Sequence, residues 1–354
     1  MIFLISGKVR SIKVKTENLK PGMKVARDIE NDTDGIFIPA KTILKEEHIS
    51  RIKELGHKYI YVIFEKEEPS KEEAARKKKL EKAYKENTSR VKNLFNKVKK
   101  DKKIEYNEIK DLIVEANRLG TEMDILDLVN MLRTADEYTY THSLNVSIMS
   151  NMFADWLDFD NKNQISLTLT GLLHDIGKAR IPDEILNKPD SLTDEEFEEM
   201  KKHTIYGYQM ITDIKEIPPE IKMGVITHHE HFSGDGYPLK IKSKKIPLFG
   251  RIIAIVDSFD AITANRVYKD KSSPFQAIEI FVEEETTHFD PGLKQVFLEH
   301  LPNYFIKENV ILNDGRIGEI VFINPIRPES PIVKVSDQYI DLAKESEIKI
   351  IELF

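Results

Sequence analysis

The sequence predicts a mainly α-helical protein with a small α/β unit at one end and a short β meander at the other. Three observations lead to this fold class. Apolar residues recur at three- and four-residue spacing from about 106 to 307, as they do on consecutive helices. Runs of β-branched and aromatic residues between turn residues mark strands before residue 65 and after residue 308. Between the first two regions, residues 66–105 are dominated by Lys and Glu.

The N-terminal segment, residues 1–65, is predicted to be a small α/β domain of unknown role. Its helix candidate ends at a glycine, Gly56. The predicted elements are a strand at Val25–Ile29, a turn at 31–34, a strand at Gly35–Ile38, a helix at Lys45–Glu54 and a strand at Tyr59–Ile63. His48 and His57 are isolated in this segment, so we assign no chemistry to them.

The charged segment 66–105 is predicted to be a solvated helical linker, because runs such as Arg76–Lys79 leave few apolar positions. The alternative is a helix that forms a homodimer. A thin apolar stripe at roughly helical spacing supports that alternative, and it consists of Leu80, Tyr84, Val91 and Leu94.

The last segment, residues 308–354, is predicted to be a β subdomain. Strands are expected at Val310–Leu312, Arg316–Phe322 and Pro331–Val335. The first two are joined by Asn313, Asp314 and Gly315, and an Asp-Gly pair suits the positive φ of a tight hairpin turn. The helical domain between the linker and this tail covers residues 106–307.

Composition excludes several classes of function. The chain has 354 residues and no cysteine, so disulfides, thiolate zinc sites and iron–sulfur clusters are excluded. A formal net charge of −7 argues against binding to a nucleic acid polymer. No apolar run approaches the roughly 18 residues that span a bilayer, and no signal peptide is recognisable. A cytoplasmic protein that does not bind membranes is therefore expected.

Histidines are concentrated in the helical domain. Six of the ten lie between positions 142 and 231: His142, His174, His203, His228, His229 and His231. An even distribution would place only two or three there. In a chain without thiols, imidazoles and carboxylates are the metal ligands available, and such a set suits iron, manganese or zinc.

Several of these residues fall on or beside apolar helix faces. His142 shares a face with Val146 and Met149, and His174 and Asp175 are adjacent where Gly177 is expected to stop a helix. Asp257 follows the apolar run 252–256, where a carboxylate is costly unless it is paired or binds a cation. One buried histidine is ordinarily a hydrogen-bonded core residue. Repetition on five helices favours a buried metal site.

The motifs in this region resemble those of the HD-GYP proteins, a branch of the HD-domain phosphohydrolases. The matching segments are Asp136–Ser143, Gly171–Lys178, His203 with Gly207–Tyr208, His228–Pro238 and Asp257–Thr263. They include the Gly-Tyr-Pro tripeptide, they occur in order, and they cover residues from about 135 to 305. Such a set is far more specific than a single His-Asp pair.

The resemblance implies a metal-dependent phosphodiesterase that hydrolyses cyclic di-GMP to pGpG, GMP or both. It implies two metal ions, with iron expected and manganese as the alternative. One ion would take His142, His174, Asp175 and Asp257, and the other would take Asp175, His203, His228 and His229. Asp175 would bridge them. A third ion is disfavoured, because Tyr138 stands at the position of the extra acidic ligand and Glu137 is one residue out of register.

These ligands fill about eight of the roughly twelve positions of two six-coordinate ions, which leaves room for water and phosphate. In this mechanism a metal-bridging hydroxide attacks the phosphodiester. Catalytic roles are predicted for Asp175, Lys178 and Asp260, the last as a group that orients water or the leaving group. Substrate contacts are predicted for Lys178, Tyr237, Arg266 and Lys269.

Simpler interpretations stay open for some of these residues. Each cation is otherwise an ordinary surface residue, and Tyr237 otherwise packs beneath the rigid loop 234–238. His231 is predicted to support the site or shape the loop, and His288 and His300 receive no role.

Three other functions also stay open at this point. The chain is alternatively a cyclic di-GMP receptor without turnover, a phosphohydrolase of another cyclic dinucleotide or of a nucleotide monophosphate, or an oxygen- or redox-sensing di-iron protein.

Overall fold

The computed structural model describes residues 3–5, 9–30, 35–65, 70–100, 102–123, 125–132, 138–263, 274–283 and 288–353. The chain forms two compact units, one of Met1–Ala74 with Ile306–Phe354 and one of Ala75–Phe305. The mainly helical fold class with strands near both ends is confirmed. The division into four segments stays a prediction.

Two sheets and one helix make up the N-terminal part of the first unit. The elements are β1 (Phe3–Ile5), β2 (Val9–Lys15), β3 (Lys24–Val25), β4 (Ile29–Glu30), β5 (Ile36–Ile38), α1 (Glu46–Glu54) and β6 (Tyr59–Glu65). The larger sheet has the antiparallel order β1-β2-β6-β3, and β4 pairs with β5. The single strand predicted at Val25–Ile29 is wrong, because its two ends belong to different sheets. The turn predicted at 31–34 lies outside the described residues.

The C-terminal residues of this unit form a five-stranded sheet. Its strands are β7 (Asn309–Leu312), β8 (Ile317–Phe322), β9 (Ile332–Val335), β10 (Gln338–Asp341) and β11 (Ile350–Leu353), in the antiparallel order β10-β9-β8-β7-β11. Gly315 has φ +87°, as the hairpin prediction requires. Ile311 packs in one apolar core with Val14 and Val62, so this sheet and the N-terminal strands share a hydrophobic core.

The second unit is helical. Its helices are α2 (Lys71–Lys99, from residue 75 onward), α3 (Tyr106–Glu122), α4 (Ile125–Leu132), α5 (Tyr138–Trp156), α6 (Asn161–Leu173), α7 (Asp183–Leu186), α8 (Asp194–Lys201), α9 (His203–Thr212), α10 (Pro219–Thr227), α11 (Leu248–Thr263), α12 (Pro274–Glu283) and α13 (Pro291–His300). A 3₁₀ turn at Ile176–Arg180 follows α6. No described helix has the length and apolar character needed to cross a membrane.

The core of the helical unit fixes the helices that carry the histidines. Helix α5 packs against α6, α11 and α3, and α10 packs against α6, α9 and α11. The Phe297 ring lies 6.0 Å from Phe153 and 5.4 Å from both Phe259 and Phe281, measured between centroids. All four side chains are fully buried, and each contributes roughly 1.5–3 kcal/mol through burial. This cluster joins α5 to α11, so His142 and Asp257 are held by a rigid scaffold.

Helix α2 has a buried face in addition to the solvated face that its charge predicts. The four residues of its apolar stripe, Leu80, Tyr84, Val91 and Leu94, are at most 4% exposed. Arg76 also pairs with Asp127 at 3.0 Å. The charged residues cover only the outer face of α2. Since the stripe is already buried within the monomer, it is not available as the seam of a dimer.

Candidate metal centre

The seven predicted metal ligands converge on one buried site. They reach it from the ends and faces of five helices: His142 on α5, His174 and Asp175 after α6, His203 at the start of α9, His228 and His229 after α10, and Asp257 on α11. This arrangement agrees with the sequence-based expectation that these residues lie close together. Their potential ligand atoms form two groups, which we call the Asp257 half and the His229 half.

The Asp257 half contains His142, His174, Asp175 and Asp257. The Nε2 atom of His142 lies 3.0 Å from Oδ1 of Asp257 and 3.5 Å from Oδ2 of Asp175. The Nε2 atom of His174 lies 3.2 Å from Nε2 of His142 and 3.4 Å from Oδ2 of Asp175. Two imidazole nitrogens and two carboxylates therefore face a common point.

The His229 half contains His203, His228 and His229. The Nε2 atoms of His203 and His228 are 3.3 Å apart, and the rings of His203 and His229 have centroids 5.1 Å apart. One nitrogen from each of the three rings lies within 4.8 Å of the other two. His229 is partly exposed, and the Asp257 side chain is 15% exposed. Each half therefore has one member that solvent can reach.

Asp175 connects the two halves. Its Oδ2 faces His142 and His174, and its Oδ1 lies 3.4 Å from Nε2 of His203. Oδ1 is buried and has no hydrogen-bond partner among the described residues. An unpaired buried carboxylate oxygen surrounded by imidazole nitrogens is costly unless a cation is shared between them. The residues present therefore fit a pair of divalent ions.

Local hydrogen bonds orient three of the rings. The Nδ1 atoms of His174, His203 and His228 each lie 2.7 Å from the carbonyl oxygen three residues earlier. A carbonyl only accepts, so each Nδ1 carries the proton and each Nε2 keeps a lone pair directed at the site. The three carbonyls belong to Gly171, Met200 and Val225, all at the ends of helices, where carbonyls lack helical partners.

The turn that carries His174 and Asp175 packs tightly on α9. A Cβ atom at Gly177 would collide with the carbonyl oxygen of His203 and the amide nitrogen of Gly207. The prediction that Gly177 stops a helix is therefore wrong, because α6 ends at Leu173 and Gly177 lies within the following 3₁₀ turn. Its role is to let this turn approach α9, which brings Asp175 to His203.

The two halves differ in protonation. Burial lowers the pKa of His203 to about 4 and that of His229 to about 3, so both rings are neutral at physiological pH. Burial also tends to lower the pKa of His142, but hydrogen bonds with Asp257 and Asp260 outweigh it and raise this pKa to about 10. The Asp257 half thus holds a proton that a metal ion must displace.

Asp260 does not occupy the position predicted for it. Its side chain is 0% exposed, and its Oδ2 accepts a hydrogen bond from Nδ1 of His142 at 2.7 Å. The carboxylate therefore lies behind the His142 ring, where solvent does not reach it. Contact with water or a leaving group does not fit this geometry, whereas orientation of the His142 ring does.

Lys178 lies at the edge of the centre, as predicted. Its Nζ is 2.6 Å from Oδ2 of Asp175, and its side chain is 23% exposed. Together with the imidazoles it keeps the pKa of Asp175 well below its usual value, against the opposing effect of burial. Arg266, Lys269 and Glu137 lie outside the described residues, and of Tyr138 only the backbone is described.

The loop after His229 lies against the site. The buried carboxylate of Glu230 accepts backbone N–H groups of Leu239, Lys240 and Ile241 at 2.5–3.1 Å. The Tyr237 ring stacks on His229 with centroids 4.8 Å apart, and the Tyr237–Pro238 peptide is cis. Burial and the charges of Asp257 and Asp175 raise the pKa of the Tyr237 phenol, which therefore stays protonated. The loop thus holds Tyr237 against a predicted ligand.

The remaining histidines lie apart from the centre. His231 stacks on His288 with centroids 4.1 Å apart and lies 3.2 Å from Asp235. His300 stacks on Trp156 at 5.4 Å. His231 therefore shapes the loop, and its partner is His288, for which no role was predicted.

Sequence reasoning missed two supporting groups. Glu230 follows the paired histidines directly, and this adjacency was the available signal. Tyr84 of α2 donates a hydrogen bond to Asn145 at 2.6 Å. Burial and the charge of Asp260 raise the pKa of this phenol. A tyrosine on the buried stripe of α2 therefore supports the polar region behind His142, which its place in a charged segment did not indicate.

The residues of this centre lie within a stretch that matches a known family. Residues 121–293 match the HD domain family, and residues 11–119 match a domain of unknown function, DUF3391. A cyclic di-GMP phosphodiesterase of Pseudomonas aeruginosa is 34% identical over 247 residues, which are 69% of this chain and 59% of that protein. A 3'3'-cGAMP-specific phosphodiesterase of Vibrio cholerae is 32% identical over 191 residues, 54% of this chain and 36% of that protein.

The fold has a solved counterpart. An HDG"Y"P protein of Bdellovibrio bacteriovorus superposes with a TM-score of 0.50 at 17% identity, covering 81% of this chain and 97% of that one. The chain spans less than two thirds of the length of the two curated relatives above. An HD domain implies divalent-metal binding, for which the two His/Asp groups provide ligands. Residues 121–293 therefore match an HD domain, and the metal centre lies inside the matched stretch.

Proposed function

We propose that this chain is a metal-dependent phosphodiesterase that hydrolyses cyclic di-GMP to pGpG, GMP or both. The observation that carries the proposal is the Asp175 carboxylate, whose two oxygens face two separate groups of imidazole nitrogens. Two ions held by one bridging carboxylate are a common arrangement for phosphodiester hydrolysis. The names of the curated relatives supply the substrate class.

The proposed ligand sets follow the two halves. One ion takes His142, His174, Asp175 and Asp257, and the other takes Asp175, His203, His228 and His229. Nitrogen and oxygen donors without thiolates suit iron, with manganese as the alternative. Two ions are proposed in place of three, because Tyr138 stands where a third ion would need an acidic ligand.

When bound, such ions make water nucleophilic at neutral pH and neutralise charge on a phosphodiester. The residues of the chain supply the rest. The Lys178 ammonium beside Asp175 offers a positive charge to a phosphate oxygen, and Tyr237 forms part of the wall beside His229. Arg266 and Lys269 remain predicted substrate contacts. Asp260 orients His142 through its hydrogen bond.

The alternative substrate is another cyclic dinucleotide. It is favoured by one specific observation, namely that a relative at 32% identity is named a 3'3'-cGAMP-specific phosphodiesterase. A receptor that binds cyclic di-GMP without turnover is the non-enzymatic alternative. The seven residues predicted as metal ligands lie close together, and this proximity supports turnover.

The test is hydrolysis by the full chain, purified without oxygen and loaded with Fe(II) or Mn(II). We expect cyclic di-GMP to be opened, and metal analysis of the same sample to give two ions per chain. Asp175→Ala should reduce the rate by at least about 10³-fold, because both ions lose a ligand worth several kcal/mol. Tight binding of cyclic di-GMP without any product would instead establish the receptor.

The wider organisation is also proposed. We propose a cytoplasmic location and retain the four sequence segments as functional divisions. Burial of the stripe of α2 does not fit homodimerisation through it. A dimer that uses α2 would have to contact its charged outer face.

A further inference from the structure

An aromatic and basic patch extends from the metal centre to the protein surface. The Phe197 ring on α8 meets the Tyr237 ring edge-to-face, with centroids 6.4 Å apart and planes at 79°. Tyr237 in turn stacks on the predicted ligand His229. Two ring contacts thus lead from a predicted metal ligand to Phe197, whose side chain is 47% exposed. Such an exposed phenylalanine beside a catalytic centre offers a stacking surface.

A cation lies over both rings. The Nζ atom of Lys201 is 4.9 Å from the centroid of Phe197 and 5.8 Å from that of Tyr237. It also pairs with Glu198, one turn earlier on the same helix. Both ring distances fall within the range of cation–π attraction. Lys201 is thus fixed at the edge of the aromatic surface, with its side chain 26% exposed.

Helix α8 holds this patch in place. Thr193 caps its first turn in a capping box with Glu196, and α9 with His203 follows α8 directly. Phe197 and Lys201 are four residues apart, so they lie on one face of α8. That face is turned towards Tyr237. A ligand anchored at the metal centre would therefore meet Phe197 and Lys201 at a fixed distance.

We infer that Phe197 and Lys201 form the site for a guanine base of the dinucleotide, an inference that rests on the proposed function. The base stacks on the exposed face of Phe197, and Lys201 donates to the O6 and N7 acceptors of guanine. Aromatic side chains hold unpaired bases by stacking, which is sequence-tolerant. The lysine adds discrimination, because adenine presents an amino donor where guanine presents O6.

The test uses the metal-loaded full chain with cyclic di-GMP, cyclic di-AMP and bis(p-nitrophenyl) phosphate, a diester without a base. Phe197→Ala should raise the KM for cyclic di-GMP about tenfold, since one stacked base contributes that much or more, with little change in kcat. Phe197→Tyr should restore the KM. Lys201→Met should lower the ratio of kcat/KM for cyclic di-GMP to that for cyclic di-AMP about tenfold.

Matched controls separate recognition from folding. Lys202→Met removes the neighbouring lysine, which pairs with Glu199 away from these rings, and should leave KM and preference unchanged. Ile165→Ala removes a comparably exposed side chain from α6. If Phe197→Ala instead lowers kcat equally on the dinucleotides and on bis(p-nitrophenyl) phosphate, its role is structural and the inference is overturned. Unchanged KM and preference in both variants would overturn it as well.

A binding measurement keeps this inference separate from the proposed function. If the unmodified chain cleaves bis(p-nitrophenyl) phosphate but not cyclic di-GMP, the proposed function fails. Calorimetric titration with GMP and AMP then tests the base site alone. Tighter binding of GMP that is lost in Phe197→Ala and Lys201→Met supports the site, whereas equal binding of the two nucleotides rejects it.

Discussion

The two halves of the metal centre have different chemistry, although one carboxylate joins them. The Asp257 half combines two imidazoles with two carboxylates and carries a proton on His142. The His229 half consists of three neutral imidazoles and shares only Asp175. The first half must therefore exchange a proton for a cation, whereas the second is ready to bind one. A single buried site thus offers two different environments to two ions of the same metal.

Removing one ligand from each half gives the largest expected effect. His142→Ala and His228→Ala should each release the ion of its own half, retain the other, and reduce the rate by about 10³-fold, because phosphodiester hydrolysis needs both ions. Metal content per chain and initial rates on the same preparations provide the check. Loss of both ions in either variant would mean that the halves do not bind independently.

The next effect concerns the contact that brings the halves together. Gly177→Ala places a methyl group against the backbone of α9, so the turn with Asp175 must move away from His203. We expect the free energy of unfolding to fall by about 1–3 kcal/mol because of overpacking. We also expect the His229 half to lose more metal than the Asp257 half. Urea unfolding of the metal-free protein and metal analysis measure the two. Gly292→Ala, at an unconfined helix start, is the control.

A smaller effect is expected at Asp260. Asp260→Asn keeps the shape of the side chain but weakens its hold on Nδ1 of His142, so metal affinity should fall about 10–100-fold in the Asp257 half only. Competition with a chelator, in the His228→Ala background, isolates that half. If affinity instead falls in the His229 half, Asp260 does not act through His142.

The last effect is gradual and concerns pH dependence. Below the His142 pKa of about 10 a proton competes with the metal, so affinity of the Asp257 half should rise about tenfold per pH unit between pH 7 and 9. The His229 half, with pKa values of about 3 to 4, should be nearly flat there. Metal titrations of the His142→Ala and His228→Ala variants at several pH values test this. If metal affinity depends on pH in the same way in both variants, the assigned protonation is contradicted.

The sequence predicted what depends on local patterns. Helical periodicity located the helical domain, and ordered motifs located all seven residues that converge on the centre. Asp-Gly chemistry located the hairpin at Gly315. Each of these features depends on residues close together in the sequence, so it can be recognised without knowledge of the tertiary fold.

What could not be predicted depends on contacts between distant residues. Asp260 and His142 are 118 residues apart, and nothing near Asp260 indicates that it faces the back of a ligand. Gly177 looked like a helix stop because its contact with α9 is invisible in the sequence. Lys and Glu on α2 concealed a buried stripe, since an amphipathic helix needs only one apolar face to pack.

The hydrogen bonds from three imidazoles to carbonyls one helical turn earlier have a consequence for how the centre is maintained. Each of these rings is positioned by a carbonyl of the preceding helical turn and not by an ion. A chain without ions therefore keeps these three rings in place, and they can bind cations again without rearrangement. Activity would then follow the supply of metal in the surroundings closely, rising and falling with it while the protein itself persists.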